Sequence, residues 1–154
     1  NILVNDSLHC CLADFGLTLV TTSSQTWSLT TSSATGKGSM RWLAPELFIP
    51  GLAVPVPNHT SRDVYAFGCT IVEILTQKPP FHDCKNDYSV LVLLMNGGRP
   101  TRPQDVWCPH VIWDLTTRCW AQNAKDRPSA NEIFDILQRV PVRFEEKRNE
   151  DDEY

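Results

Sequence analysis

Between Val64 and Leu75 only Thr70 and Glu73 are polar, and no other stretch of the 154 residues constrains the fold as tightly. Val64, Phe67, Gly68, Ile71, Val72 and Leu75 repeat at the helical period, while Tyr65, Ala66, Cys69 and Ile74 cover the other faces. A helix that is apolar nearly all round has to be wrapped by other elements. The pattern predicts a buried central helix, capped by Thr60 or Ser61, running to about Gln77 and stopped by Pro79-Pro80. The chain can wrap it: 42% of its residues are hydrophobic, with five Trp and six Phe, and its length suits one domain.

The wrapping elements also read as helices. One is expected from about Tyr88 to Met95, closed by Gly97-Gly98. Another spans Pro109 to Trp120 with proline in its first turn, burying Ile112, Leu115, Cys119 and Trp120. Ser129 and Glu132 have capping-box spacing for a last helix whose apolar stripe is Ile133, Ile136, Leu137 and Val140. A short helical turn is expected at Pro45 to Phe48. At the front, Ile2-Leu3-Val4 and Leu8 to Ala13 flank the turn-forming Asn5-Asp6-Ser7, which predicts a β-hairpin. Between Thr18 and Thr35, 12 of 18 residues are Ser or Thr without apolar period, so a long loop is expected there. Three prolines make Pro50 to Asn58 an irregular connection. The expected fold class is mainly α, within an α+β scheme: a helical bundle around a buried central helix, with a small N-terminal hairpin.

Charge and cysteine usage exclude several functions. Glu145 to Tyr154 hold six acidic and two basic side chains, which account for the whole formal charge of −4. The neutral body offers no basic stripe for nucleic acid, and residues 141–154 read as a charged, disordered tail. The longest apolar run, Val90 to Met95, is far short of the roughly 18 residues of a membrane span. Six cysteines without a C-x-x-C pair suggest reduced thiols and a cytoplasmic setting rather than a disulfide framework. His9 with Cys10 and Cys11, or Cys108 with His110, lack zinc-site spacing.

Several short motifs stand in a fixed order: Asn1-Ile2-Leu3-Val4, Asp14-Phe15-Gly16, Gly38-Ser39-Met40-Arg41-Trp42-Leu43-Ala44-Pro45-Glu46, Asp63-Val64-Tyr65-Ala66-Phe67-Gly68, and Arg127-Pro128. Together they resemble the C-terminal lobe of a eukaryotic protein kinase over about residues 1 to 140, beginning at the last residue of the catalytic loop. A carboxylate at Asp14 and an amide oxygen at Asn1 are the hard donors that magnesium prefers, and a hairpin between them brings distant positions close. The resemblance assigns these two to the metal, and Asn1, Asp14, Phe15 and Gly16 to the Mg-ATP site. Phe15 and Gly16 are then a packing aromatic and a backbone pivot, which together form a switch.

The resemblance makes the hydroxyl-rich stretch an activation segment, with Thr30, Thr31, Ser32, Ser33 and Thr35 as candidate phosphate acceptors. Gly38-Ser39 resembles the Gly-Thr that opens the substrate loop of serine/threonine kinases, with a conservative hydroxyl exchange. Met40 to Leu43 contain no proline of the kind tyrosine kinases carry, and the Arg41 to Glu46 run looks most like the tyrosine-kinase-like group. Glu46 and Arg127, 81 positions apart, are expected to form a buried ion pair, and Asp63 to anchor the catalytic loop.

The catalytic base, glycine-rich loop and phosphate-binding lysine are expected upstream, in an N-terminal lobe acting in cis. No catalytic residue is therefore assigned here, and the 154 residues alone are expected to be inactive. The complete protein is expected to use ATP and Mg2+ on protein Ser/Thr hydroxyls. The alternative is a catalytically dead kinase-like module that binds other proteins.

Overall fold

Asn5 organises the front of the chain by bonding its own backbone. The computed structural model describes residues 2–13, 40–49 and 59–141, His59 by its backbone alone. In the first range, strands β1 (Ile2–Val4) and β2 (Cys10–Leu12) pair antiparallel in the register Ile2↔Leu12, Leu3↔Cys11, Val4↔Cys10. The Asn5 side-chain oxygen accepts from the Ser7 and His9 amides at 3.1 and 2.9 Å, and Leu8 reverses the chain at φ +60°. This hairpin belongs to a compact unit separate from the helices.

The helical unit is built on α1 (His59–Thr76), followed by α2 (Asp87–Met95), α3 (His110–Cys119) and α4 (Ala130–Gln138). Among the described residues, the 3-10 turns Met40–Trp42, Pro45–Leu47 and Ala124–Asp126 accompany them. Helix α1 lies between two hydrophobic clusters, as its all-round apolar pattern requires. Its Tyr65, Cys69 and Val72 pack with Ala44, Phe81, Val90, Leu94 and Trp120. Val64 packs on the other side with Leu115, Cys119 and Ile133. Gly68 permits the close approach of α3, because a Cβ there would lie 2.9 Å from Cys119 Cβ and 3.3 Å from the Thr116 carbonyl.

Local signals account for three helix ends. Asn86 caps α2 by accepting from the Ser89 amide at 2.9 Å. Gly97 at φ +73° closes α2 in a Schellman pattern, with the Gly98 amide donating to Leu93 and the Gly97 amide to Leu94. Ser129 and Glu132 form the reciprocal capping box of α4.

Four expectations are revised. Helix α1 starts at His59, so Thr60 and Ser61 lie inside its first turn; the Ser61 hydroxyl instead donates to the Ala124 carbonyl at 3.0 Å. Pro109 is the N-cap of α3, in extended backbone, rather than its first helical residue. Ile74 is 67% exposed because it lies on the outward stripe of α1 with Asp63, Phe67 and Thr70, while Leu75 and Thr76 beside it are half-buried. The α4 stripe is covered only at Ile133, with Ile136 and Val140 half-buried and Leu137 exposed. The loops expected at 18–35 and 50–58, and the tail beyond Pro141, lie outside the described residues.

Candidate functional site

Ala44-Pro45-Glu46 enters a 3-10 turn whose first position is proline, which needs no amide donor there. Ala44, Pro45 and Glu46 are all buried. A carboxylate so far from water requires a cation with matching geometry, and Arg127 supplies it. Its Nη1 donates to Glu46 Oε1 at 2.8 Å and its Nη2 to Oε2 at 2.7 Å, a fork on a carboxylate. The two side chains are 0% and 2% exposed. Arg127 also donates to the Ser61 carbonyl at 3.0 Å and, through Nε, to the Ala121 carbonyl at 3.0 Å. One guanidinium thus ties the 40–49 segment, the start of α1 and the 121–127 loop together.

Tyr65 lies under this pair. Its ring contacts two guanidinium groups, Arg127 at 5.1 Å and Arg99 at 5.5 Å from the centroid. Arg99 Nε donates to the Trp120 carbonyl at 2.8 Å, and its Nη2 donates to Gln122. Burial pushes the Tyr65 phenol well above its usual range and the Cys69 thiol up to about 12, so both stay neutral near pH 7. Burial lowers the Arg99 guanidinium from its usual value, opposed by Tyr65 and Cys69.

The same segment has two further anchors. Arg41 Nη1 donates to the carbonyls of Pro80 and Phe81 at 3.2 and 2.6 Å, and its Nη2 to Cys84 at 3.2 Å. The Trp42 indole donates to Glu73 Oε2 at 3.2 Å, which gives a partner to the carboxylate within the apolar run of 64–75. Asp63 is exposed, just past the first turn of α1. Asn1, Asp14, Phe15, Gly16, Thr30, Thr31, Ser32, Ser33, Thr35, Gly38 and Ser39 all lie outside the described residues.

Sequence reasoning gave roles to Glu46 and Arg127 but none to Arg41, Tyr65, Glu73 and Arg99. One signal was available: a lone Glu in the apolar run of α1 needs a donor, and Trp42 beside the Ala-Pro-Glu triplet offers one. Nothing local marks Arg41 or Arg99, whose partners are mostly backbone carbonyls.

Comparison with known proteins decides the family. The sequence model for "Protein tyrosine and serine/threonine kinase" matches residues 1–137. The chain belongs to this protein kinase family. It is 32% identical over 149 residues to a "Probable LIM domain-containing serine/threonine-protein kinase" of Dictyostelium discoideum, covering 97% of this chain and 21% of that protein. It is 32% identical over 162 residues to the "Dual specificity protein kinase pyk3" of the same organism, covering 100% of this chain and 11% of that one. Against the "Receptor-interacting serine/threonine-protein kinase 2" of Bos taurus it is 31% identical over 153 residues, covering 95% and 28%. The kinase chain therefore spans between 11% and 28% of the length of these relatives. Among the described residues no helix is long and apolar enough to cross a membrane.

Proposed function

We propose that residues 1–140 are the C-terminal, helical part of a serine/threonine protein kinase domain of the tyrosine-kinase-like group, followed by a charged tail. The observation that carries this reading is the buried Glu46–Arg127 fork, which fixes the end of the acceptor-binding segment against α1. Met40 to Leu43 lack proline, and two of the three relatives named above are described as serine/threonine kinases. In this reading Gly38 and Ser39 open the acceptor loop, with the Ser39 hydroxyl directed to the catalytic aspartate. Asp63 holds the catalytic loop, and a phosphate on Thr30, Thr31, Ser32, Ser33 or Thr35 orders the activation segment.

Asp14 and Asn1 would hold magnesium through oxygen donors that suit a hard cation, with Phe15 and Gly16 setting the aspartate's direction. The bound metal would neutralise charge on the phosphates of ATP. The 154 residues contain neither a G-x-G-x-x-G phosphate loop nor an H-R-D aspartate, so by themselves they transfer no phosphate. The complete protein acts on protein hydroxyls, with its N-terminal lobe in cis. ATP chemistry and free cysteines fit a cytoplasmic setting.

The test is phosphotransfer by the full-length protein with Mg-ATP on matched Ser, Thr and Tyr peptides. Transfer to Ser or Thr that Asp14→Asn abolishes is the expected result. Transfer to Tyr alone would overturn the specificity. No transfer to any acceptor would favour the catalytically dead interaction module.

A further inference from the structure

We propose that Arg41 is a positioning residue for the acceptor substrate, locking the segment after Gly38-Ser39 onto the loop that leads into α2. The proposal rests on the kinase reading of residues 38–46 given above.

The Arg41 side chain is only 16% exposed and all three of its nitrogens are engaged. Nη1 serves the Pro80 and Phe81 carbonyls, Nη2 the Cys84 carbonyl, and Nε faces Asp87 Oδ1 at 3.5 Å in the first turn of α2. A planar fork can serve three separated carbonyls and a carboxylate at once, whereas a lysine ammonium is a single point charge.

The loop it grips needs holding. Phe81 has φ +57°, a conformation that bulky side chains rarely adopt. Its ring is 3% exposed, packed in the cluster that contains Ala44 of the gripped segment. Phe81 is thus fixed twice, by its ring in the core and by its carbonyl on Arg41.

The other anchors of the segment point elsewhere: Trp42 to Glu73 on α1, and Glu46 to Arg127. Arg41 is the member of this set that reaches the α2 side. Without it, residues 40–43 keep their hold on α1 but lose the lateral brace that sets their pose. Residues 40–43 would hold the acceptor alike in ground state and transition state, so loss of their pose weakens uniform binding, which raises KM and leaves kcat unchanged.

The experiment compares full-length wild type with Arg41→Ala, Arg41→Lys and Asp87→Asn, measuring steady-state phosphorylation of a Ser/Thr peptide and backbone hydrogen exchange. Arg41→Ala should raise the acceptor KM on the order of tenfold, with kcat and the KM for ATP within about twofold. Arg41→Lys should stay several-fold impaired, because charge alone cannot span the three carbonyls, while Asp87→Asn should behave nearly as wild type. Exchange should rise in 40–44 and 80–87 together and stay unchanged in α3 and α4. An unchanged acceptor KM in Arg41→Ala, full rescue by lysine, or a parallel loss of kcat, ATP affinity and global protection would overturn the proposal. If Arg41→Ala does not fold, the lysine variant decides by the same KM and exchange criteria. Absence of phosphotransfer by the wild type would sink the kinase reading and this proposal with it, whereas an active wild type with a normal Arg41→Ala sinks the proposal alone.

Discussion

Replacing Arg127 with alanine should be among the most damaging single changes in the helical unit. The Glu46 side chain is 2% exposed and both its oxygens are filled by Arg127, so alanine strands a carboxylate with no water to replace its partner. Breaking one side of a buried pair costs on the order of 3–5 kcal/mol, mostly as the penalty of the abandoned charge. The Ser61 and Ala121 carbonyls each lose a donor as well, and Tyr65 loses one of its two stacked cations. For a domain of kinase size that corresponds to a drop in Tm of roughly 6–20 °C.

The assay is thermal and urea unfolding of the full-length protein, extended to a double-mutant cycle with Glu46→Leu and Arg127→Met. Removing both charges should recover part of the loss, giving a coupling of about 2 kcal/mol or more. A Tm for Arg127→Ala within about 1 °C of wild type, or additivity within about 0.5 kcal/mol, would refute the argument. The exposed Arg118–Glu132 pair, at 3.3 Å but with side chains 48% and 56% exposed, is the natural control, since solvent screens it and Arg118→Ala, which leaves the Glu132 cap in place, should cost little.

Three further outcomes are expected. Gly68→Ala should cost about 1–3 kcal/mol in urea unfolding, because the new methyl would meet the Cys119 Cβ, which is tied to the α3 backbone and cannot swing away; a neutral result would mean that α1 and α3 are farther apart. Tyr65→Phe should leave stability unchanged or slightly raised, because the buried phenolic oxygen meets no geometrically sound hydrogen-bond partner among the described residues. A loss above about 1.5 kcal/mol would show that the hydroxyl is bonded after all, with the neighbouring Cys69 thiol as the partner. Hydrogen bonds from the Ser129 amide and hydroxyl, with Arg118 nearby, hold the Glu132 carboxyl below its ordinary value of 4.5, so its contribution is present above that pH and lost as pH falls through the lower folded value. Glu132→Gln should therefore be less stable than wild type at neutral pH, with the gap closing in acid; a constant gap between pH 7 and pH 3 would refute the cap.

What could be read along the chain was whatever rests on neighbours in sequence. The apolar run of 64–75 implied a wrapped helix, and α1 does lie between two clusters, because a helix with apolar residues on several faces has to bury more than one of them. Asn5, Gly97 and the Ser129–Glu132 box act within a few residues, so the hairpin turn, the end of α2 and the start of α4 were legible. The kinase family followed from ordered motifs, which are sequence facts in themselves.

Tertiary structure decided the rest, for one physical reason: a buried polar group takes whichever partner the packing brings to it, at any distance along the chain. Ser61 had the chemistry of a cap but was taken by the Ala124 carbonyl, 63 positions away. Arg41 and Arg99 look like surface cations in sequence and become braces because carbonyls with no helical partner converge on them. Ile74 continued an apolar pattern into solvent, because which face of a helix stays uncovered is set by the neighbours that pack on it. Sequence by itself determined that this chain is a helical kinase segment with its own punctuation; only the fold decided which arginine holds which carbonyl, and so what keeps Ala44-Pro45-Glu46 in place.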